Sequence, residues 1–180
     1  MLTTTVSPGF NSGSAVTTPS RNADALGRFV AGVQGGESGE MYPGGPDARN
    51  AAIEEGADRP AELLALDYRF SGTRLVDALC EIPTDRLDTP VPWRKPVTAF
   101  DLPILRWNEI EIHLMDLDIG YTCHDWPAEF VEFTLASQLG ALETAVPGVR
   151  VPSLSDAETL AWLVGRPTRV GLPTLPAWPF

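Results

Sequence analysis

From Pro60 to Ile82 the apolar residues return at helical spacing: Leu63, Leu64, Leu66, Phe70, Leu75, Val76 and Leu79 fall mostly on one stripe. Pro60 stands where a helix accepts proline, at its first turn. An amphipathic helix of this length gains its stability by laying its stripe on a partner, which restricts the chain to a packed architecture. The candidate partners are helical too. ADALGRFVAGV, at positions 23–33, turns Leu26, Phe29 and Val30 inward as a short helix. Asp47 is placed to cap ARNAAIEEGA, with Gly56 closing it. AEFVEFTLASQLGALETAV, after Pro127, offers Phe130, Phe133, Leu135 and Leu139 for burial, and AETLAWLVGR suits a further helix. These segments predict a mainly α chain whose economical arrangement is an antiparallel four-helix bundle.

The connections read differently. QGGESGEMYPGGP is dense in turn residues, and PTDRLDTPVPWRKPV is expected to be extended, with a short hairpin around Val91 to Val97. The first twenty residues, rich in Ser, Thr, Gly and Pro, show no period and are expected to be disordered. The closing LPTLPAWPF also lacks periodicity.

A length of 180 residues suits one domain with a small appendage and is enough to bury a core. A net charge of −11 argues against nucleic acid, whose phosphates call for a basic surface, and fits a soluble cytoplasmic protein. No apolar run is long enough to span a bilayer, and the start has neither the basic nor the apolar region of a secretory signal. With only two cysteines, a disulfide scaffold and a four-thiolate zinc finger are excluded. Cys80, in LVDALC, reads as a buried small hydrophobe. Cys123 beside His124 could pair as thiol and base or catch a metal; a loop Cys next to a solvated His is favoured, because nothing nearby supplies further ligands. Trp93, Trp107, Trp126 and Trp162 read as packing anchors, and Glu54 and Glu55 as a solvated helix face.

RWNEIEIHLMDLDIG, Arg106 to Gly120, carries the chemistry. Its near alternation suits a half-buried strand, but Pro103 to Ile119 is long for a strand, and Gly120 is placed to end a helix. Read as a helix, Arg106, Glu109, His113 and Asp116 fall within a sector of about 80°, while Glu111 points almost to the opposite side. Leu105, Ile110, Ile112, Leu114, Met115 and Leu117 surround that sector and imply burial on most sides. A buried carboxylate and imidazole must find each other, a metal or solvent. Glu109 and His113, one turn apart, aim at one spot and could share a divalent ion such as zinc, with Asp116 holding the other imidazole nitrogen. A simple hydrogen-bonded pair fits the same spacing.

This stretch, with YTCHDWPAEFVEFTL after it, resembles the signature of the mycothiol-dependent maleylpyruvate isomerase family: Arg-x-x-Glu-x-x-x-His-x-x-Asp-Leu-x-x-Gly-Tyr, then Asp-Trp-Pro and an apolar helix. RNADAL at Arg21–Leu26, MYPGGPDARNAAIEEGA at Met41–Ala57 and the terminal LAWLVGR with its Pro-Ala-Trp-Pro close also match. The resemblance implies a DinB-like four-helix bundle with a small carboxy-terminal α/β extension. It implies a divalent metal, usually zinc, held by a first-helix His together with Glu109 and His113, and mycothiol or a similar thiol as cosubstrate. A small anionic substrate would then be isomerised or take part in thiol transfer, with Arg166 handling its charge; outside the family, Arg166 reads as a cation at a helix C-terminus.

Two departures accompany the resemblance. Thr18 stands where the first-helix His is expected, so that helix reads as degraded or missing, and VRVPSLS leaves the extension short. The organisation expected is therefore a disordered 1–20, a metal-binding helical bundle over 21–147 and a reduced extension over 148–180. Two rival readings accompany these departures: a degenerate, non-catalytic relative acting as a binding or regulatory domain, which follows from Thr18, or a homodimer driven by the groove a lost helix exposes, with ligands shared between chains.

Overall fold

The helix that organises the structure begins where the sequence predicts disorder. The computed structural model describes residues 12–35, 41–93 and 96–176. It divides into two units, Met1–Asp118 and Ile119–Phe180, whereas the sequence reading set its boundary near 147.

In the first unit, α1 (Ser12–Val33) packs against α2 (Gly45–Ala57), α3 (Ala61–Cys80) and α4 (Leu102–Asp116). Positions 12–20 are thus helical rather than disordered, and the first helix is present; positions 1–11 lie outside the described residues. The physical reason is size. Gly13 and Gly56 sit where α1 meets α2: a Cβ on Gly13 would lie 2.1 Å from the Ala57 carbonyl oxygen, and one on Gly56 would lie 2.7 Å from Thr17 Cγ2. Small residues let the two backbones approach, and Thr17, Thr18 and Ser20 satisfy their hydroxyls on carbonyls one turn back.

The C-terminal half of α1 is apolar. Leu26, Phe29, Val30 and Val33 form one core with Leu75 of α3, Val91, Ala99 and Leu102. Phe29 meets Trp93 edge to face, with ring centroids 6.0 Å apart. The hairpin around Val91 to Val97 exists as an antiparallel pair, β1 (Pro90–Val91) with β2 (Val97–Thr98).

Several local expectations are revised. Asp47 lies in the first turn of α2 and does not cap it; the cap is Gly44, and Gly44 and Gly45 both take positive φ, 84° and 78°, which a side chain would strain. On α3 the buried positions are Leu64, Ser71 and Leu75, so Leu63, Leu66, Phe70 and Val76 of the apparent stripe are exposed. Cys80 is exposed, since it lies about 140° around the helix from Leu75.

In the second unit, α5 (Ala128–Ala145) packs on α6 (Asp156–Leu163), with a one-turn 3-10 helix at Cys123–Asp125 also against α6. Leu142, Trp162 and Leu163 centre its core, and the Trp162 indole donates to the Pro173 carbonyl at 2.8 Å. Phe130 is buried and Phe133 exposed. VRVPSLS carries no strand. Cys123 is fully buried, because its turn is pressed on α6, and burial raises its thiol's pKa. His124 is exposed, as expected. The terminal Ala-Trp-Pro lies outside the described residues.

Candidate functional site

RWNEIEIHLMDLDIG is a helix as far as Asp116. Pro103 enters in its first turn, and Thr98 and Asp101 cap the preceding 3-10 turn reciprocally. The helix closes at Leu117, with Asp118 at φ 52°, so the expected Gly120 cap lies beyond its end. None of its residues from Ile104 to Leu117 is fully exposed.

The helical turn brings Glu109, His113 and Asp116 together. His113 Nε2 lies 3.4 Å from Glu109 Oε2, and Nδ1 lies 2.7 Å from Asp116 Oδ2. Burial would lower the imidazole's pKa, but the hydrogen bonds to Asp116 and Glu109 outweigh it and leave the group above its ordinary range.

Arg106 ties α4 to α1. It is 7% exposed, and its Nη1 donates to the Pro19 carbonyl and to Asn22 Oδ1. Its guanidinium carbon stands 5.8 Å from the Tyr68 ring centroid. Burial lowers its pKa, with Tyr68 and Glu109 acting against the shift. The Asn22 amide nitrogen is buried without a partner. Sequence reasoning had not singled out Asn22; its signal was its place beside Arg21 in RNADAL. Glu111, on the other side of α4, is buried and accepts from the Trp107 indole at 3.0 Å.

The metal that the resemblance implies can be tested against these donors. Glu109 Oε2 and His113 Nε2 are separated by about the edge of a tetrahedral zinc site. Among the described residues a third donor is lacking: Thr18 is 2% exposed, with its hydroxyl turned to the Ser14 carbonyl at 2.9 Å. Among the described residues, no group of three or more His, Cys, Asp and Glu is arranged to hold an ion. The residues present do not fit a closed metal site.

Arg166 belongs to the second unit. Ser155 and Glu158 cap the start of α6 reciprocally, and Gly165, at φ 78°, turns the chain after it. The Arg166 amide then donates to the Ala161 carbonyl at 2.7 Å, and its Nη1 to the Val164 carbonyl at 2.7 Å. Its side chain thus meets a carbonyl at the helix end, where a cation is favoured.

Comparison with known proteins follows this division. The model of the mycothiol maleylpyruvate isomerase N-terminal domain matches residues 20–118, ending at the last residue of the first unit. The fold is similar to the crystal structure of the mycothiol-dependent maleylpyruvate isomerase, at a TM-score of 0.81 and 22% identity, over 95% of this chain and 83% of that one. A histidine-to-alanine mutant of that enzyme matches over the same shares, at 22% identity and a TM-score of 0.82. No curated protein matches significantly. With more than half of its length matched, the chain belongs to the mycothiol maleylpyruvate isomerase N-terminal domain family.

Proposed function

We propose that this chain is a small-molecule isomerase or thiol transferase using mycothiol or a similar thiol, with His113 taking the thiol proton. The observation that carries the reading is the Asp116–His113–Glu109 line on α4. With the neutral ring's proton on Nδ1, facing Asp116 at 2.7 Å, Nε2 is the nitrogen that takes a further proton, and it lies 3.4 Å from Glu109. A thiol attacks only as thiolate. The proton moves from sulfur to Nε2, and the imidazolium so formed lies between two carboxylates that favour its charge. The thiolate adds to a carbon–carbon double bond conjugated to a carbonyl, the π pair moves onto the carbonyl oxygen, and the bond, now single, rotates. The returning electron pair expels the thiolate and restores the double bond in the other geometry, and Nε2 gives its proton back to sulfur. Arg166 is proposed to meet the anionic group of the substrate. The relatives' name makes maleylpyruvate the first substrate to try.

No step here passes through a metal, because Glu109 and His113 alone with water would hold one weakly. A second reading, a non-catalytic relative that binds without turnover, is favoured by Thr18, buried at the expected ligand position. Zinc content and calorimetric zinc titration of the 1–180 chain, run with a mycothiol-dependent isomerisation assay and with His113→Ala, separate the two. Thiol-dependent turnover without stoichiometric zinc, lost in His113→Ala, supports the proposal. Tight zinc that disappears in His113→Ala would return the metal to the mechanism. No turnover with or without zinc leaves the binding role.

A further inference from the structure

A cavity of about 190 Å³ is lined by Arg21, Asp24, Arg28, Tyr42, Arg49 and Ala52, among others. In a chain of net charge −11, three guanidinium groups around one cavity are a local reversal of sign. One of the three is neutralised. Arg21 meets Asp24 at 3.0 Å and Asp67 at 2.7 Å, and Asp24 is shared with Arg74 at 3.0 Å.

The other two differ. Arg28 donates through Nε and Nη2 to the Met41 carbonyl, a neutral acceptor. Arg49 stands 5.2 Å from the Tyr42 ring centroid, and its Nη1 donates to Asn50 Oδ1 at 3.2 Å. Among the described residues neither has a carboxylate partner within ion-pair distance. Both are half-buried. Two like charges on one cavity repel, and water screens them less there than on an open surface. Each is already oriented, Arg28 by a carbonyl and Arg49 by a ring. Each also keeps donors in reserve, since a guanidinium carries five. Such forks match paired oxygen acceptors.

Size narrows the ligand. Pockets for drug-sized molecules start at about 300 Å³, so this one suits a ligand of few heavy atoms. We propose that the cavity binds a small dianion with oxygen acceptors, of the dicarboxylate or phosphate class, between Arg28 and Arg49. The site is separate from the α4 locus: Arg21, Asp24 and Arg28 lie about 100–160° around α1 from Asn22, which meets Arg106. The inference does not rest on the proposed isomerase reading, because binding is read without turnover.

The test is calorimetric titration of succinate, and separately of inorganic phosphate, into the full chain at low ionic strength, where exposed charges are least screened. Wild type is compared with Arg28→Gln, Arg49→Gln, Ala52→Leu and, as a control that does not line the cavity, Arg150→Gln. One saturable site is expected for at least one anion, weakened about tenfold or more by loss of either fork. Ala52→Leu, which fills space and removes no charge, is expected to weaken it as well, and Arg150→Gln to leave it unchanged. Succinate binding in preference to phosphate assigns the dicarboxylate class; the reverse order assigns phosphate. The bound anion raises the melting temperature of wild type and Arg150→Gln, but not of Arg49→Gln. Absence of saturable binding by both anions, equal weakening in Arg150→Gln, or wild-type binding in Ala52→Leu would overturn the assignment. Because Arg28 also holds the Met41 carbonyl, the Ala52 variant keeps the test decisive if Arg28→Gln folds poorly.

Discussion

α1 is one helix with two interiors. Toward its C-terminus it buries Ala23, Leu26, Phe29, Val30 and Val33, and toward its N-terminus it buries Ser14, Thr17, Thr18, Ser20 and Asn22 just as completely. The first set stabilises through apolar area, which is non-directional and tolerant of detail. The second set has little apolar bulk. It stabilises through close approach to α2 and through directed hydrogen bonds, above all from Arg106. The apolar half fastens the helix, and the polar half receives Arg106, which stands one turn before Glu109 on α4. A site for polar chemistry needs such an interior, since greasy side chains there would strand its charges.

The two halves should fail differently. Phe29→Ala attacks the apolar half and is expected to cost about 3–5 kcal/mol in urea denaturation, by lost transfer energy and the cavity left behind. A loss below about 1 kcal/mol would mean that the Leu26–Phe29–Val30 core is not closely packed. Arg106→Met is the counterpart in the polar half. It keeps the aliphatic bulk but removes the donor to the Pro19 carbonyl and Asn22, at about 2–3 kcal/mol for a charge-assisted pair. A neutral result would show that α1 and α4 are not joined through that guanidinium. Gly13→Ala comes next, at about 1–2 kcal/mol for overpacking. In an isolated helix the same change would be stabilising, so its sign reads out the contact with Ala57 directly.

The same contrast explains what the sequence could and could not tell. Leu26, Phe29 and Val30 stand at helical spacing, and their inward face was legible. SGSAVTTPS was not, because Ser, Thr, Gly and Pro carry no apolar period and favour turns when nothing packs on them. Its helical state depends on α2 and α4, partners that a local reading does not see. α3 shows the same effect. Ser71 lies on its buried face between Leu64 and Leu75, while Leu63, Leu66 and Phe70 advertise a face that stays exposed. A small polar residue on the inner face misdirects any reading that follows apolar residues alone. The line Glu109–His113–Asp116 was legible because one helix supplies all of it, and intrahelical spacing fixes geometry. Asn22 and the Arg28–Arg49 cavity were not, since their partners come from elements far apart in sequence or from a loop carbonyl. The capping box of Ser155 and Glu158 was a local signal that the reading passed over.

The smallest effect expected is also the one that isolates charge from packing. Asp67 on α3 accepts from Arg21 of α1 and from Arg59, each at 2.7 Å. Burial works to raise its pKa, but the two guanidinium groups outweigh it and hold the carboxyl below its ordinary value of 3.8. A carboxyl depressed by folding stabilises the folded state fully above its unfolded value, and the contribution fades as the pH falls through the lower folded value. Asp67→Asn is therefore expected to lower stability by about 0.5–1 kcal/mol at neutral pH, the range of partly exposed ion pairs. That difference should shrink toward zero as the pH drops below 3.8. Thermal melts of both proteins across that range supply the check, repeated at high salt, where screening should also narrow the gap. A difference that stays constant through acid and salt would mean that Asp67 acts by shape or neutral hydrogen bonding. The polar half of α1 would then be joined to α3 much as its apolar half is, by fit alone.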